Sequence, residues 1–94
     1  MKLVWTPPAI RDLQSLRSYI ARDKPSAARK QVEIILTAVA GLAHFPDSGR
    51  PGRKTGTREL VIGKTPYLAI YRNQGGALEI LRILHGRQSW SDAR

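Results

Sequence analysis

The sequence predicts an α+β domain in which a helical hairpin packs on a sheet. Two long stretches near the N-terminus carry apolar residues at helical spacing. Three short β-rich stretches follow in the second half, separated by glycine and proline. A short apolar segment at the start adds a fourth strand, so the expected order is β-α-α-β-β-β, with the helical hairpin on a curved, mostly antiparallel four-stranded sheet. Ninety-four residues suit one domain, residues 1–94, with a modest core.

Lys2 to Trp5 is short, apolar and β-compatible, and reads as the first strand. Thr6-Pro7-Pro8 reads as a helix start: threonine can accept a bond from a free backbone N–H, and proline tolerates the first turn. Ile10, Leu13, Leu16 and Ile20 then recur at helical spacing, with Arg11, Arg17 and Arg22 largely off that stripe, to about Arg22. Pro25 disfavours helical geometry at Lys24 but suits the start of a second helix. Ala28, Val32, Ile35, Val39 and Leu42 give that helix one long apolar stripe, ended by Pro46. The short break makes the two helices antiparallel neighbours. Ile10, Leu13, Val32 and Ile35 are expected in the core. Leu16, Ile20 and Val39 are expected to be exposed.

Residues 46–57 are rich in glycine and proline and read as an irregular loop, with Arg50, Arg53 and Lys54 within five positions. Arg58–Ile62 reads as a strand, Gly63-Lys64-Thr65-Pro66 as a turn, and Tyr67–Arg72 as the next strand. Asn73-Gln74-Gly75-Gly76 is a hairpin turn by composition. Leu78–Leu84 is apolar enough for a central strand.

Sixteen Lys and Arg face seven acids, a formal net charge of +9. That balance favours an acidic partner: nucleic acid, an acidic protein segment or an anionic membrane. Residues 44–88 hold eight Lys/Arg against three acids, a net +5. There is no cysteine, which removes disulfides, thiolate metal sites and cysteine nucleophiles. The N-terminus lacks the long apolar run of a signal peptide, and no segment approaches a membrane span, so a cytoplasmic protein without a membrane partner is expected. There is no P-loop, dinucleotide fingerprint or HExxH, and His44 and His85 alone make a poor metal site. Neither a metal nor a cofactor is expected.

His85 is the one plausible general acid or base, because its ordinary pKa of about 6.5 lies near working pH. It follows an apolar strand, with Arg82 three residues before and Arg87 two after. Histidine to move a proton and arginines to hold a phosphate suit phosphodiester cleavage. The plainer alternative is a histidine that bonds a backbone group and orders the turn. Arg58, Arg72 and Arg82 fall on three strands and could converge, or could be solvated residues that discourage edge pairing. Arg50, Arg53 and Lys54 could track a phosphate backbone, or solubilise a loop. Tyr67 and Tyr71 suit half-buried strand positions, and Trp90 could pack on the sheet or meet a partner.

These residues also form a familiar series. Trp5-Thr6-Pro7-Pro8-Ala9, Asp12-Leu13, Tyr19-Ile20, Pro25-Ser26-Ala27-Ala28, Gly49-Arg50, Gly52-Arg53, Gly56 to Val61, Pro66-Tyr67, Ile70-Tyr71-Arg72 and Ile80 to Gln88 resemble the RelE/ParE superfamily of bacterial toxins over nearly the whole chain. The resemblance implies the toxin of a type II toxin–antitoxin module, in a hetero-oligomer with a cognate antitoxin that wraps it, with Leu16, Ile20 and Val39 as antitoxin contacts. It implies one of two targets: DNA gyrase, as for ParE-like members, or mRNA on the ribosome, as for RelE-like members. Leu68 stands where RelE-like nucleases carry an arginine, and Glu59 and Val61 stand where lysines are expected, whereas the Ile83-Leu84-His85 strand end looks like ParE. A nuclease would use His85 as proton carrier with Arg58, Arg82 and Arg87 as phosphate ligands. Arg50, Arg53, Lys54, Arg72 and Trp90 are the candidate target-binding residues.

Overall fold

A computed structural model describes residues 1–88. The order is β1 (Lys2–Trp5), α1 (Pro7–Ala21), α2 (Pro25–Gly41), β2 (Arg50–Pro51), β3 (Arg58–Val61), β4 (Tyr67–Gln74) and β5 (Ala77–His85). The strands form one sheet in the order β1-β5-β4-β3-β2. β1 runs parallel to β5 and every other pairing is antiparallel.

The sheet therefore has five strands where four were expected. The extra one is cut from the glycine- and proline-rich segment that read as irregular. Arg50 pairs with Glu59 and Pro51 with Arg58. Proline fits because β2 is the edge, where no donor is needed outward. Beyond it, the Gly52 amide donates to the Thr57 carbonyl at 2.8 Å, and the Thr57 hydroxyl donates to the Lys54 carbonyl at 2.6 Å. Long-range pairing and side-chain bonds order this segment, and neither leaves a periodicity in the sequence.

Gly75 and Gly76 join β4 and β5, with φ of 60° and 79°. Two consecutive positive φ values are what a tight right-twisted hairpin requires, and glycine adopts them at least cost. The pairing extends to Gln74 opposite Ala77, two residues past the expected end of β4.

The core lies between the hairpin and one face of the sheet. Ala9, Leu16, Ile35, Val39 and Leu42 meet Ile62, Ala69, Tyr71, Leu78, Ile80 and Ile83. Val32, expected in the core, is half-buried against it, as is Leu13. Two expectations reverse. Leu16 (7 % exposed) and Val39 (0 %) are buried, not exposed, because α1 and α2 turn them into the sheet. Ile10, expected in the core, is 42 % exposed; it sits on the flank of the stripe, away from Ala9 and Leu16. Ile20 is half-buried against the core.

Tyr71 ties the segment after α2 to the sheet. Its hydroxyl donates to the Pro46 carbonyl at 2.8 Å and accepts from the Gly49 amide at 2.9 Å. A Cβ on Gly49 would lie 2.7 Å from that hydroxyl oxygen, so the close approach needs glycine.

Candidate functional site

Two features of β5 build the site. The first is a bulge. Ile70 pairs with Arg82 but Tyr71 pairs with Ile80, which leaves Leu81 as an extra residue. An inserted residue reverses the inward–outward alternation beyond it. Leu78 and Ile80 face the helices before the bulge; Ile83 and His85 do so after it. Strict alternation from Ile80 would instead have turned Arg82 and Leu84 inward.

The second feature is an open edge. β1 ends at Trp5, opposite Ile80, so the later part of β5 has no strand on that side. Buried backbone groups there need other partners. The Thr6 amide and hydroxyl both donate to the Ile80 carbonyl, at 3.1 and 2.7 Å. Thr6 thus closes the sheet edge and makes no side-chain cap on α1, contrary to expectation. Asp12, from the first turns of α1, accepts from the Ile83 amide at 3.0 Å. Its two oxygens also accept from Arg82 Nε and Nη2 at 2.7 and 2.9 Å. This bidentate pair is over four-fifths buried, and the bond to Asp12 raises the Arg82 pKa further above its ordinary value.

The result is an open cleft of about 530 Å³ between α1 and the end of β4–β5, lined by Asp12, Ser15, Tyr19, Tyr67, His85 and Gln88 among others. His85 lies opposite Tyr67 in the sheet, and the two rings meet edge to face with centroids 5.7 Å apart. His85 Nδ1 accepts from the Arg87 amide at 3.1 Å, which assigns the ring proton of the neutral form to Nε2. The His85 amide donates to Gln88 Oε1 at 2.9 Å. Burial, and then the neighbouring Tyr19, raise the Tyr67 pKa above its ordinary value of 10.0.

The three strand arginines do not converge. Arg58 pairs opposite Tyr71 and so shares the helix-side face; Arg72, the next residue along β4, points to the other. Each is committed to a carboxylate of the chain. Arg58 Nη2 lies 3.6 Å from Asp47 while Nη1 donates to the Gly49 carbonyl at 2.7 Å. Arg72 Nε donates to Glu79 at 2.7 Å, and Arg82 is held by Asp12. Arg50 makes the same kind of pair with Glu59 at 3.1 Å. Arg50 and Arg53 line a depression on the face away from the helices, above Ile70 and Leu84. Lys54 is half-buried. Arg87 is exposed in the turn after β5. Trp90 lies outside the described residues. Asp12, Ser15 and Tyr19 were not singled out as site residues, although their spacing of three and four puts them on one flank of α1.

Similarity to known proteins places this fold among the toxins of type II toxin–antitoxin systems. The chain belongs to the ParE toxin family of such systems (parDE), which matches residues 3–90. It is 45 % identical to Y4kP of Sinorhizobium fredii, a toxin by name, over 95 % of this chain and 92 % of that protein. It is 38 % identical to toxin RelE2 of Caulobacter vibrioides over 89 % and 93 %. The fold matches a chain of the chromosomal ParDE system from P. aeruginosa with a TM-score of 0.82, at 33 % identity, covering 90 % of this chain and 95 % of that one. Membership of this family implies a cognate antitoxin as partner.

Proposed function

We propose that this toxin arrests growth by poisoning DNA gyrase and is not a nuclease. The observation that carries this reading is the state of the sheet arginines. A phosphoryl-transfer site needs cations aimed at the phosphate and its developing charge. Here Arg58, Arg72 and Arg82 each face a carboxylate of the same chain, exposed for Arg58 and largely buried for Arg82, on different faces or edges of the sheet. Redirecting a buried, bidentate arginine such as Arg82 would leave Asp12 desolvated and uncompensated, which is costly. Purified toxin should inhibit supercoiling by gyrase, and its expression should cause DNA breaks. Full supercoiling activity in the presence of excess toxin would sink this reading.

One observation favours a second reading, a ribosome-dependent mRNA endonuclease. His85 lines the cleft, and with Nδ1 accepting from the Arg87 amide its Nε2–H remains a hydrogen-bond donor for a phosphate oxygen. The Caulobacter vibrioides relative carries the name RelE2. Primer extension on ribosome-bound mRNA should then reveal cuts that disappear in His85→Ala.

The antitoxin needs exposed apolar surface to seat on. Leu16 and Val39 are core residues, so the hairpin offers Ile10 and Leu36 instead, 42 and 43 % exposed, with Phe45 (71 %) just beyond α2. These are the proposed antitoxin contacts, and Ile20 keeps a half-buried place between core and surface.

A further inference from the structure

Once the sheet arginines are paired, the larger share of the uncommitted positive charge among the described residues lies on the helical hairpin, with Lys2, Arg53, Lys64 and Arg87 outside it. Four of the acids, Asp12, Asp47, Glu59 and Glu79, are spent on Arg82, Arg58, Arg50 and Arg72. Among the described residues, Arg11, Arg17, Arg22, Lys24, Arg29 and Lys30 form no ion pair.

Within that surplus, one face of α1 has an ordered composition. Arg11, Gln14, Ser15, Ser18, Tyr19 and Arg22 line a shallow depression of about 510 Å³ along its solvent side. At 100° per residue they fall on one stripe opposite Ala9 and Leu16, with Arg11 and Arg22 nearly in line. The stripe contains no acid. None of its six side chains makes a hydrogen bond or ion pair within the described residues, so all their donors face solvent. Tyr19 is 72 % exposed.

We propose that this stripe binds the sugar–phosphate backbone of duplex DNA, an inference that rests on the gyrase reading for its role in the cell. Arginine, serine, glutamine and tyrosine are among the side chains that donate to phosphate oxygens. Arg11 and Arg22 are three turns apart, about 16 Å along the helix. Successive phosphates of one DNA strand are farther apart than the axial rise of about 3.4 Å, so the two guanidinium groups are spaced to meet phosphates a few steps apart, with the serines between them. A protein partner would instead need an apolar centre to exclude water, and the stripe's only large apolar surface is the Tyr19 ring. In a gyrase–DNA complex such a stripe would hold the toxin against the DNA segment being cleaved.

The test is binding of the purified toxin to a short fluorescent duplex across a salt series, read by anisotropy, with thermal melting to show that each variant folds. Arg11→Gln with Arg22→Gln should lower the affinity about tenfold and reduce the slope of log K against log salt by about 2. Ser15→Glu with Ser18→Glu, which leaves both arginines in place, should abolish binding. Arg29→Gln with Lys30→Gln removes the same charge from α2 and should cost much less. Equal losses from the two neutralised pairs would mean that binding reports net charge alone and would overturn the proposal. So would variants of the stripe that keep DNA binding but lose the antitoxin. Supercoiling assays on the same proteins separate the two readings. If the wild type leaves gyrase untouched while the stripe still binds duplex selectively, the gyrase reading falls and the DNA surface stands. If wild type and stripe variants poison gyrase equally, the DNA surface falls and the gyrase reading stands.

Discussion

Asp12 does the work of a missing strand. Where β1 stops, its carboxylate takes the Ile83 amide and the Arg82 guanidinium together. Alanine there would strand a backbone donor and strip Arg82 of its paired charge. Asp12→Ala should therefore destabilise the protein by about 2–3 kcal/mol, read as a shift in urea midpoint. Asp12→Asn keeps one acceptor and should cost less. A cost near zero would mean that water or a neighbouring group replaces the carboxylate. Tyr67 makes a different prediction. Its pKa is raised in the folded chain, chiefly by burial, so the folded state holds the phenolic proton more tightly than the unfolded state. The stability this contributes is complete below a pH of about 10 and is lost as pH rises through the folded pKa. Tyr67→Phe should therefore show a shallower alkaline loss of stability than the wild type, with little difference at neutral pH.

At the scale of elements, the hairpin separates two kinds of apolar residue that look alike in a list. Val39 is fully buried and Leu36, three residues away on α2, is 43 % exposed. Val39→Asp should unfold the protein, since an unpaired charge would enter the core. Leu36→Asp should leave the melting temperature within a few degrees and weaken antitoxin binding. The pair is measured by thermal melting and by titration with the antitoxin; unchanged affinity in Leu36→Asp would remove that residue from the proposed interface. The bulge at Leu81 is the other decisive element. It turns Ile83 and His85 to the helix side, and without it the cleft would have no histidine.

For the whole molecule, size and charge point the same way. A 94-residue chain with a net charge of +9 has a modest core and a self-repelling surface. A partner that binds only the folded state adds stability by mass action, about 2.7 kcal/mol at one hundred times its Kd. For a domain of this length that corresponds to a rise in Tm of about 10–20 °C. Calorimetry of the toxin with its antitoxin should show a rise of that order that grows with antitoxin concentration. Among the described residues no helix is long and apolar enough to cross a membrane.

Much of this architecture is legible along the chain. The stripe of α2, the prolines that open both helices, the Gly75-Gly76 hairpin and the bounds of β1 follow from local periodicity and backbone preference, which are properties of neighbouring residues. The ordered series of short motifs also carried the toxin family. The tertiary structure decided what depends on residues far apart. Glu59 and Arg58 made a strand of Arg50–Pro51; the bulge set which way His85 faces; and Asp47, Glu79 and Asp12 claimed the strand arginines, for which the sequence left convergence and solvation both open. A sequence displays a charge but not its partner, because the partner is chosen by the fold across up to 70 residues of chain. For that reason the basic character of this protein was evident from composition, while its uncommitted part, the larger share of it on the helical hairpin, emerged only once the ion pairs were in place.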